Sequence, residues 1–177
     1  EEQEYFADGI TEDIIANLSL WKTFPVISRN SSFTFKNTTE KSDVISKALG
    51  ARYLVEGSVR KAGNKVRITA QLTSADDDKQ IWSKRWDRSL EDIFEVQDEV
   101  SRDVAALISP ALKDQEQVKL SSKGKKNFGA WDEYLQGLNI YNTEDFAGSR
   151  AGDRVIEHCK KAIGLNANFC DAYVLYC

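Results

Sequence analysis

The sequence predicts an α+β fold, in which a small mixed or antiparallel sheet is covered by helices and followed by an α-helical, repeat-like segment. Three observations predict it: apolar residues alternate on both sides of Gly63-Asn64, apolar residues recur at helical spacing around that stretch, and two further helical stripes follow residue 127. With 41% hydrophobic residues, 177 residues suffice for one ordinary core and an appendage. We expect an α+β domain over residues 1–120, a linker over 121–127 and an incomplete helical segment over 128–177.

The amino-terminal elements are predicted from caps and breakers. Thr11 can cap a first helix, which should end before Pro25. Residues 26–28 are predicted as a short strand. A second helix fits residues 39–49, where Gly50 supplies a C-terminal stop.

The sheet is predicted from alternation with a period of two. Residues 53–59 and 66–72 both alternate between apolar and polar side chains, and Gly63-Asn64 between them favours a tight hairpin. After the acidic turn 76–78, residues 81–86 alternate again. Three neighbouring antiparallel strands follow from this pattern.

The remaining elements are amphipathic helices. From Leu90 to Leu112 the apolar residues form a broad helical stripe, which should cover the sheet and end near Pro110. On that covered face we expect Trp82 and Trp86 to be packed in the core rather than to bind a ligand. The linker has no apolar residue, and two helical stripes beyond it predict a pair of helices.

Charge and composition exclude several partners. The net charge is -4 and the sequence pI about 5.2, so we expect no binding of nucleic acid and no membrane contact by this fragment. The chain opens on Glu1-Glu2 and contains no Met, which we interpret as a sign of a piece cut from a longer protein or of a processed product. Its three cysteines, all in the last fifth, are expected to be free, and they leave the compartment open between cytoplasm and periplasm.

Signals of catalysis are weak, so the sequence predicts no catalytic, cofactor-binding or metal-binding residues. His158 is the single histidine and is expected to be an ordinary residue of a helix surface. The acidic turn 76–78 lacks calcium-loop spacing and is interpreted as solvated. The glycines are isolated rather than arranged in a phosphate-binding loop.

Two surfaces are candidates for recognition. One is the polar strand face, where arginines can bind an anion or a partner and where the alternative is a plain exposed face. Its candidate residues are Arg52, Glu56, Arg60, Arg67 and Gln71. The other is a self-association surface or peptide groove in the helical segment, with Trp131, Tyr134, Leu138 and Tyr173 as candidates.

Ordered sequence blocks over residues 5 to about 118 closely resemble the TolB amino-terminal-like (FlgO-like) domain of bacterial signalling proteins. The blocks are Tyr5-Phe6-Ala7-Asp8-Gly9-Ile10-Thr11-Glu12-Asp13-Ile14, Ser28-Arg29-Asn30-Ser31-Ser32-Phe33, Leu54-Val55-Glu56-Gly57-Ser58-Val59-Arg60, Val66-Arg67-Ile68-Thr69-Ala70-Gln71-Leu72, Trp82-Ser83-Lys84-Arg85-Trp86-Asp87-Arg88 and Asp92-Ile93-Phe94-Glu95-Val96-Gln97-Asp98-Glu99. The resemblance brings no catalytic residues to this chain.

Residues 128–177 resemble the opening of a tetratricopeptide array. The matching stretches are Tyr134-Leu135-Gln136-Gly137, Cys159-Lys160-Lys161-Ala162-Ile163 and Phe169-Cys170-Asp171-Ala172-Tyr173, although Ala167 stands where such repeats usually carry proline. In many proteins of this arrangement a class III adenylate or guanylate cyclase or a winged-helix domain precedes the TolB-like segment. The resemblance therefore implies a signalling parent.

The function predicted from the sequence is that of a non-catalytic sensor or protein-interaction module of a larger bacterial signalling protein. A first alternative is a C-terminal accessory fragment of a class III nucleotide cyclase, without the active site. A second is a structural dimerisation unit, because a truncated repeat leaves an apolar helix face uncovered. The expected partners are other proteins or a second copy, forming a homo-oligomer, or else a small anionic ligand; no cofactor is expected.

Overall fold

The computed structural model describes residues 4–75, 78–108, 127–144 and 150–176 and confirms the α+β class. The elements are α1 (Glu4–Ser19), α2 (Arg29–Phe33), α3 (Ser42–Leu49), β1 (Tyr53–Ala62), β2 (Lys65–Ser74), β3 (Lys79–Ser89), a single 3₁₀ turn (Leu90–Asp92), α4 (Ile93–Ile108), α5 (Phe128–Thr143), α6 (Ala151–Leu165) and α7 (Cys170–Tyr176). Within these described ranges, no helix combines the length and the apolar character that crossing a membrane requires.

The three strands form one antiparallel sheet in the order β1-β2-β3, as the alternation predicts. Gly63 has a φ of 57°, the left-handed conformation that a tight hairpin between β1 and β2 needs. The register runs from Tyr53 opposite Ser74 to Ala62 opposite Lys65. Pairing of β2 with β3 shifts once, between Leu72 and Thr73.

One face of the sheet is covered by α4, as the helical stripe predicts. Every second residue of β2 is buried, and so are the residues of α4 that recur at helical spacing. These core residues are Val66, Ile68, Ala70 and Leu72 on β2 and Ile93, Val96, Val100 and Val104 on α4. Trp86 of β3 is also buried, which confirms its predicted place in the core, whereas Trp82 is half-buried.

Three predicted boundaries are wrong. Helix α1 begins at Glu4 rather than Thr11, because Phe6 and Ile10 are buried and extend its apolar stripe towards the amino end. Helix α3 begins at Ser42 rather than residue 39, because the backbone is still extended at Lys41. Residues 26–28 form no strand, since none of the described strands pairs with them.

The C-terminal end of α3 confirms its predicted stop. Gly50 has a φ of 64°, and its amide donates to the carbonyls of Ser46 and Lys47. The expectations for Asp76, Asp77, Pro110 and most of the linker 121–127 fall outside the described residues. The domain boundary near residue 121 therefore stays a prediction.

The chain divides into two compact units. One, here the sheet unit, runs from Ile10 to Ser121; the other, here the helical unit, joins the first nine residues to the segment from Ser122 to Cys177. In the helical unit, the ring of Phe6 packs edge-on against Trp131 at 5.5 Å and Phe128 at 6.3 Å, and the Tyr5 hydroxyl donates to Asp132. The first turns of α1 thus complete the core of the helical unit.

Candidate functional site

The face of the sheet turned away from α4 carries most of the predicted recognition residues. We call it the open face. Its members are Glu56, Ser58 and Arg60 on β1, Lys65, Arg67, Thr69 and Gln71 on β2, and Ser83, Arg85 and Asp87 on β3. All ten side chains are polar and seven are exposed, since within these stretches of the strands the apolar side chains alternate onto the covered face.

At one end of the open face, polar side chains satisfy one another. Glu56 lies directly opposite Gln71, and the Gln71 amide donates to the Glu56 carboxylate at 2.9 Å. The Ser42 hydroxyl, in the first turn of α3, donates to the other oxygen of Glu56 at 3.5 Å. Glu56 and Gln71 are half-buried, and this end is a structural contact between strands and helix.

Towards the hairpin, the open face becomes basic. Arg60 on β1, Lys65 and Arg67 on β2, and Arg85 and Asp87 on β3 lie at this end of the face, and we call these five residues the basic cluster. Arg60 lies directly opposite Arg67, which in turn lies opposite Asp87. The Arg67 Nε donates to Asp87 Oδ1 at 2.5 Å, and the Arg85 Nε lies 3.5 Å from Asp87 Oδ2.

The arginines around Asp87 lower the pKa of this carboxylate, the single acidic group of the basic cluster. The hydrogen bond from Arg67 holds the pKa of Asp87 below its usual value; the charges of Arg67, Arg85 and Arg88 act in the same direction, and partial desolvation opposes them. Because all the partners are exposed to solvent, this pairing adds little to stability. It orients two guanidinium groups instead.

Arg52 lies apart from the basic cluster. It precedes β1, and its carbonyl accepts a hydrogen bond from the Ala75 amide at 2.9 Å. Eight residues of extended strand separate it from Arg60, a distance of about 26 Å. Of the five residues predicted for this surface, the structure therefore places Arg60 beside Arg67, pairs Glu56 with Gln71, and separates Arg52 from the basic pair.

A polar network on the covered face was missed by the sequence analysis. The Trp86 indole donates to Glu99 at 2.7 Å, and the Lys84 ammonium lies 2.9 Å from Asp103, 3.6 Å from Glu99 and 5.0 Å from the centre of the Trp86 ring. The signal was present: Lys84 shares the face of Trp86 by alternation, and Glu99 and Asp103 lie one helical turn apart.

Burial and pairing shift the pKa values in this network. The indole hydrogen bond and the charge of Lys84 hold the pKa of Glu99 below its usual value, against desolvation. Contact with Asp103 raises the pKa of Lys84. Both groups therefore carry their charges at neutral pH and tie β3 to α4.

The four residues predicted to form a surface of the helical unit differ in their burial. Trp131 is buried against Phe6 and Phe128, and Tyr134 stacks edge-on against Phe169 at 5.4 Å. Leu138 is half-buried, whereas Tyr173 is exposed on α7. The four residues thus differ in the access they offer to a partner.

Groups capable of chemistry are dispersed through the described ranges. Within residues 4–75, 78–108, 127–144 and 150–176, no three His, Cys, Asp or Glu side chains come together to hold a metal ion. His158 Nδ1 lies 2.8 Å from the Glu133 carboxylate, an ion pair or hydrogen bond between α6 and α5. Cys159 and Cys170 are free thiols, and burial raises the pKa of Cys159.

Comparison with known proteins finds a relative much longer than this chain. The chain is 47% identical over 131 residues to a protein of Rhizobium meliloti (strain 1021) named "Putative adenylate cyclase 3". The match covers 74% of this chain but 22% of the relative, so the chain corresponds to about a fifth of that protein. No family model and no solved structure matches the chain.

Proposed function

We propose that this chain is a non-catalytic interaction and sensing module of a larger bacterial signalling protein related to adenylate cyclases. The observation that carries the proposal is the 47% identity to a limited part of a protein with that name. A second support is the open face, which presents polar groups of three strands to solvent. The module would bind a partner while another part of its parent carries out the chemistry.

We also propose that the sheet unit is a TolB amino-terminal-like (FlgO-like) domain and that the helical unit begins a tetratricopeptide-like array. In support, α1 and α3 precede a meander of three strands, and α4 covers it. In the helical unit, α5 and α6 pack around Ile140, Val155 and Cys159. Helix pairs of this kind present surfaces for protein segments.

Strand β3 is the proposed connection between binding and the rest of the parent. Arg85 and Asp87 lie on its open face, whereas Lys84 and Trp86 on the other face hold α4. A partner that orders the open face would therefore also act on residues that position α4. The ion pairs of Lys84 give this connection two charged contacts.

A cyclase assay tests the proposal. The purified chain, supplied with ATP and Mg²⁺ or Mn²⁺, should form no cyclic AMP. The R. meliloti relative lacking the matching segment should still turn over ATP, but with an altered basal rate or an altered response to cell extract. Cyclic AMP formed by the chain alone, or complete loss of turnover in a folded deletion variant, would contradict an accessory role.

Self-association is a second candidate function, favoured by α7. Its side chains Tyr173, Val174 and Tyr176 are exposed, with Val174 at 78% of its full accessible area. Apolar side chains exposed on one short helix favour contact with a second copy of the chain. Sedimentation velocity over a concentration series should show a dimer that Val174→Asp dissociates; a monomer at every concentration would exclude this candidate.

A further inference from the structure

The basic cluster stands out against the charge of the whole protein. Its four cationic side chains and one carboxylate give it a net charge of +3, whereas the whole chain carries -4. All five side chains are exposed, on three adjacent strands. Positive charge is therefore concentrated at one end of the open face.

Two of the cations are not compensated within the described part of the chain. Arg60 lies directly opposite Arg67, and like charges at such positions repel and destabilise a strand pair. Arg67 is held by Asp87, but among the described residues neither Arg60 nor Lys65 has a hydrogen bond or an ion pair through its side chain. An anionic partner would relieve the repulsion and would find two cations available.

The shape of the surface indicates the kind of anion. The basic cluster lies across three strands, a width of about 10 Å, and all five of its side chains are exposed rather than enclosed. Small ligands such as nucleotides are usually enclosed in clefts. An extended peptide, in contrast, can lie flat on such a face and present several carboxylates to it.

The composition of the open face disfavours a nucleic acid. Single-stranded nucleic acids are held by aromatic side chains on which the bases stack, in addition to a basic groove. None of the ten residues of the open face is aromatic. Guanidinium groups carry planar pairs of N–H donors and can therefore bind carboxylates in a bidentate manner. They are suited to the carboxylates of an acidic peptide.

We propose that the basic cluster binds an acidic, carboxylate-rich peptide segment of a partner protein. Arg60 and Lys65 supply the available charges, and Asp87 orients Arg67 and Arg85 beside them. This inference rests on the proposed interaction function and names the chemistry of its partner. Binding should weaken with added salt, because the contacts are charged and exposed.

Fluorescence anisotropy of the intact chain with a labelled polyglutamate peptide tests the proposal. At low salt the peptide should bind, and a polyglutamine peptide of equal length should not. Arg60→Ala should weaken binding by about fivefold, and the double variant Arg60→Glu with Lys65→Glu by more than about tenfold. Arg52→Ala is the matched control, because Arg52 is exposed on the same unit but lies far from the cluster, and it should leave affinity unchanged.

Several outcomes would overturn the proposal. They are the absence of polyglutamate binding, equal binding by the Arg60→Glu and Lys65→Glu double variant, or binding of inorganic phosphate or single-stranded DNA in preference to the peptide. Because the substituted side chains are exposed, circular dichroism should show unchanged folding in every variant. The cyclase assay is independent, so failure here leaves the accessory role standing.

Discussion

The two faces of strand β2 show how one stretch of chain serves two purposes. Val66, Ile68 and Leu72 are buried under α4, whereas Arg67 and Thr69, which alternate with them, lie on the open face. Burial of an aliphatic side chain contributes about 1.5–3 kcal/mol to stability, while an exposed ion pair contributes about 0–1 kcal/mol. The covered face therefore holds the sheet unit together, and the open face is available for recognition.

This difference implies that the effect of a substitution, on stability or on binding, should depend on the face of the sheet that carries the residue. Changes on the covered face should alter the free energy of unfolding, and changes in the exposed basic cluster should alter binding with little effect on stability. Neighbouring residues of the same strand make matched pairs, because they share local backbone structure but lie on opposite faces. Four experiments follow from this contrast.

The largest effect is expected for Trp86→Ala on the covered face. Trp86 is 1% exposed and donates its indole hydrogen to Glu99, so its loss leaves a cavity and removes one hydrogen bond to the Glu99 carboxylate. We expect the free energy of unfolding to fall by about 3–5 kcal/mol in urea denaturation. Arg85→Ala, one residue away on the open face, should change it by less than about 0.5 kcal/mol; equal losses would contradict the contrast.

A smaller effect is expected for Gly57→Ala, also on the covered face. A Cβ at this position would lie 2.4 Å from the backbone carbonyl oxygen of Thr69, closer than real contacts allow. Strands β1 and β2 must then move apart, at a cost of about 1–3 kcal/mol by thermal denaturation. Ser58→Ala, at the next residue along β1, should leave the thermal stability nearly unchanged. If Gly57→Ala is tolerated as well, the two strands can move apart at little cost in stability.

Glu99→Gln should have a still smaller effect that depends on pH. The pKa of Glu99 is lowered in the folded state, so its stabilisation is complete above the unfolded value near 4.5 and is lost as the pH falls through the folded pKa. We expect the variant to lose about 1 kcal/mol at pH 7 after allowance for solvent screening, and the loss to shrink below pH 4.5. Glu95→Gln, exposed on the same helix, is the control, and a loss that does not vary with pH would argue against the carboxylate contact.

The smallest effect on stability is expected for Asp87→Asn on the open face. The Asp87 carboxylate is exposed with its arginine partners, so the melting temperature should not change measurably. Removal of the negative charge should instead tighten polyglutamate binding by about two- to threefold in the anisotropy assay. Weaker binding would show that orientation of Arg67 by Asp87 outweighs the added charge.

Local patterns predicted the sheet well because the determining signals lie close together in sequence. Gly63-Asn64 and the alternation around it suffice to specify the hairpin, its register and the faces of Arg60 and Arg67. The same patterns placed Arg52 on the strand face, although the strand begins one residue later. A strand end depends on hydrogen-bond partners, which no local pattern reports.

The contacts missed from the sequence are those between distant residues. Lys84 and Asp103 meet because α4 crosses the sheet at one place, and the spacing of apolar residues predicts the faces but not that position. The start of α1 was missed for another reason. Thr11 is a good capping residue, and the helix was therefore predicted to begin there. Phe6 and Ile10, one helical turn apart, were the signal that the helix begins earlier.

The place of Phe6 in the helical unit has a consequence for synthesis of the protein. The Tyr5 hydroxyl meets Asp132, 127 positions later in the chain, and the Phe6 ring packs beside it on Trp131. During translation the first turns of α1 leave the ribosome before α5 has been synthesised. Until then, their apolar side chains lack their native contacts. The core around Phe6 and Trp131 can therefore form only after α5 has been synthesised.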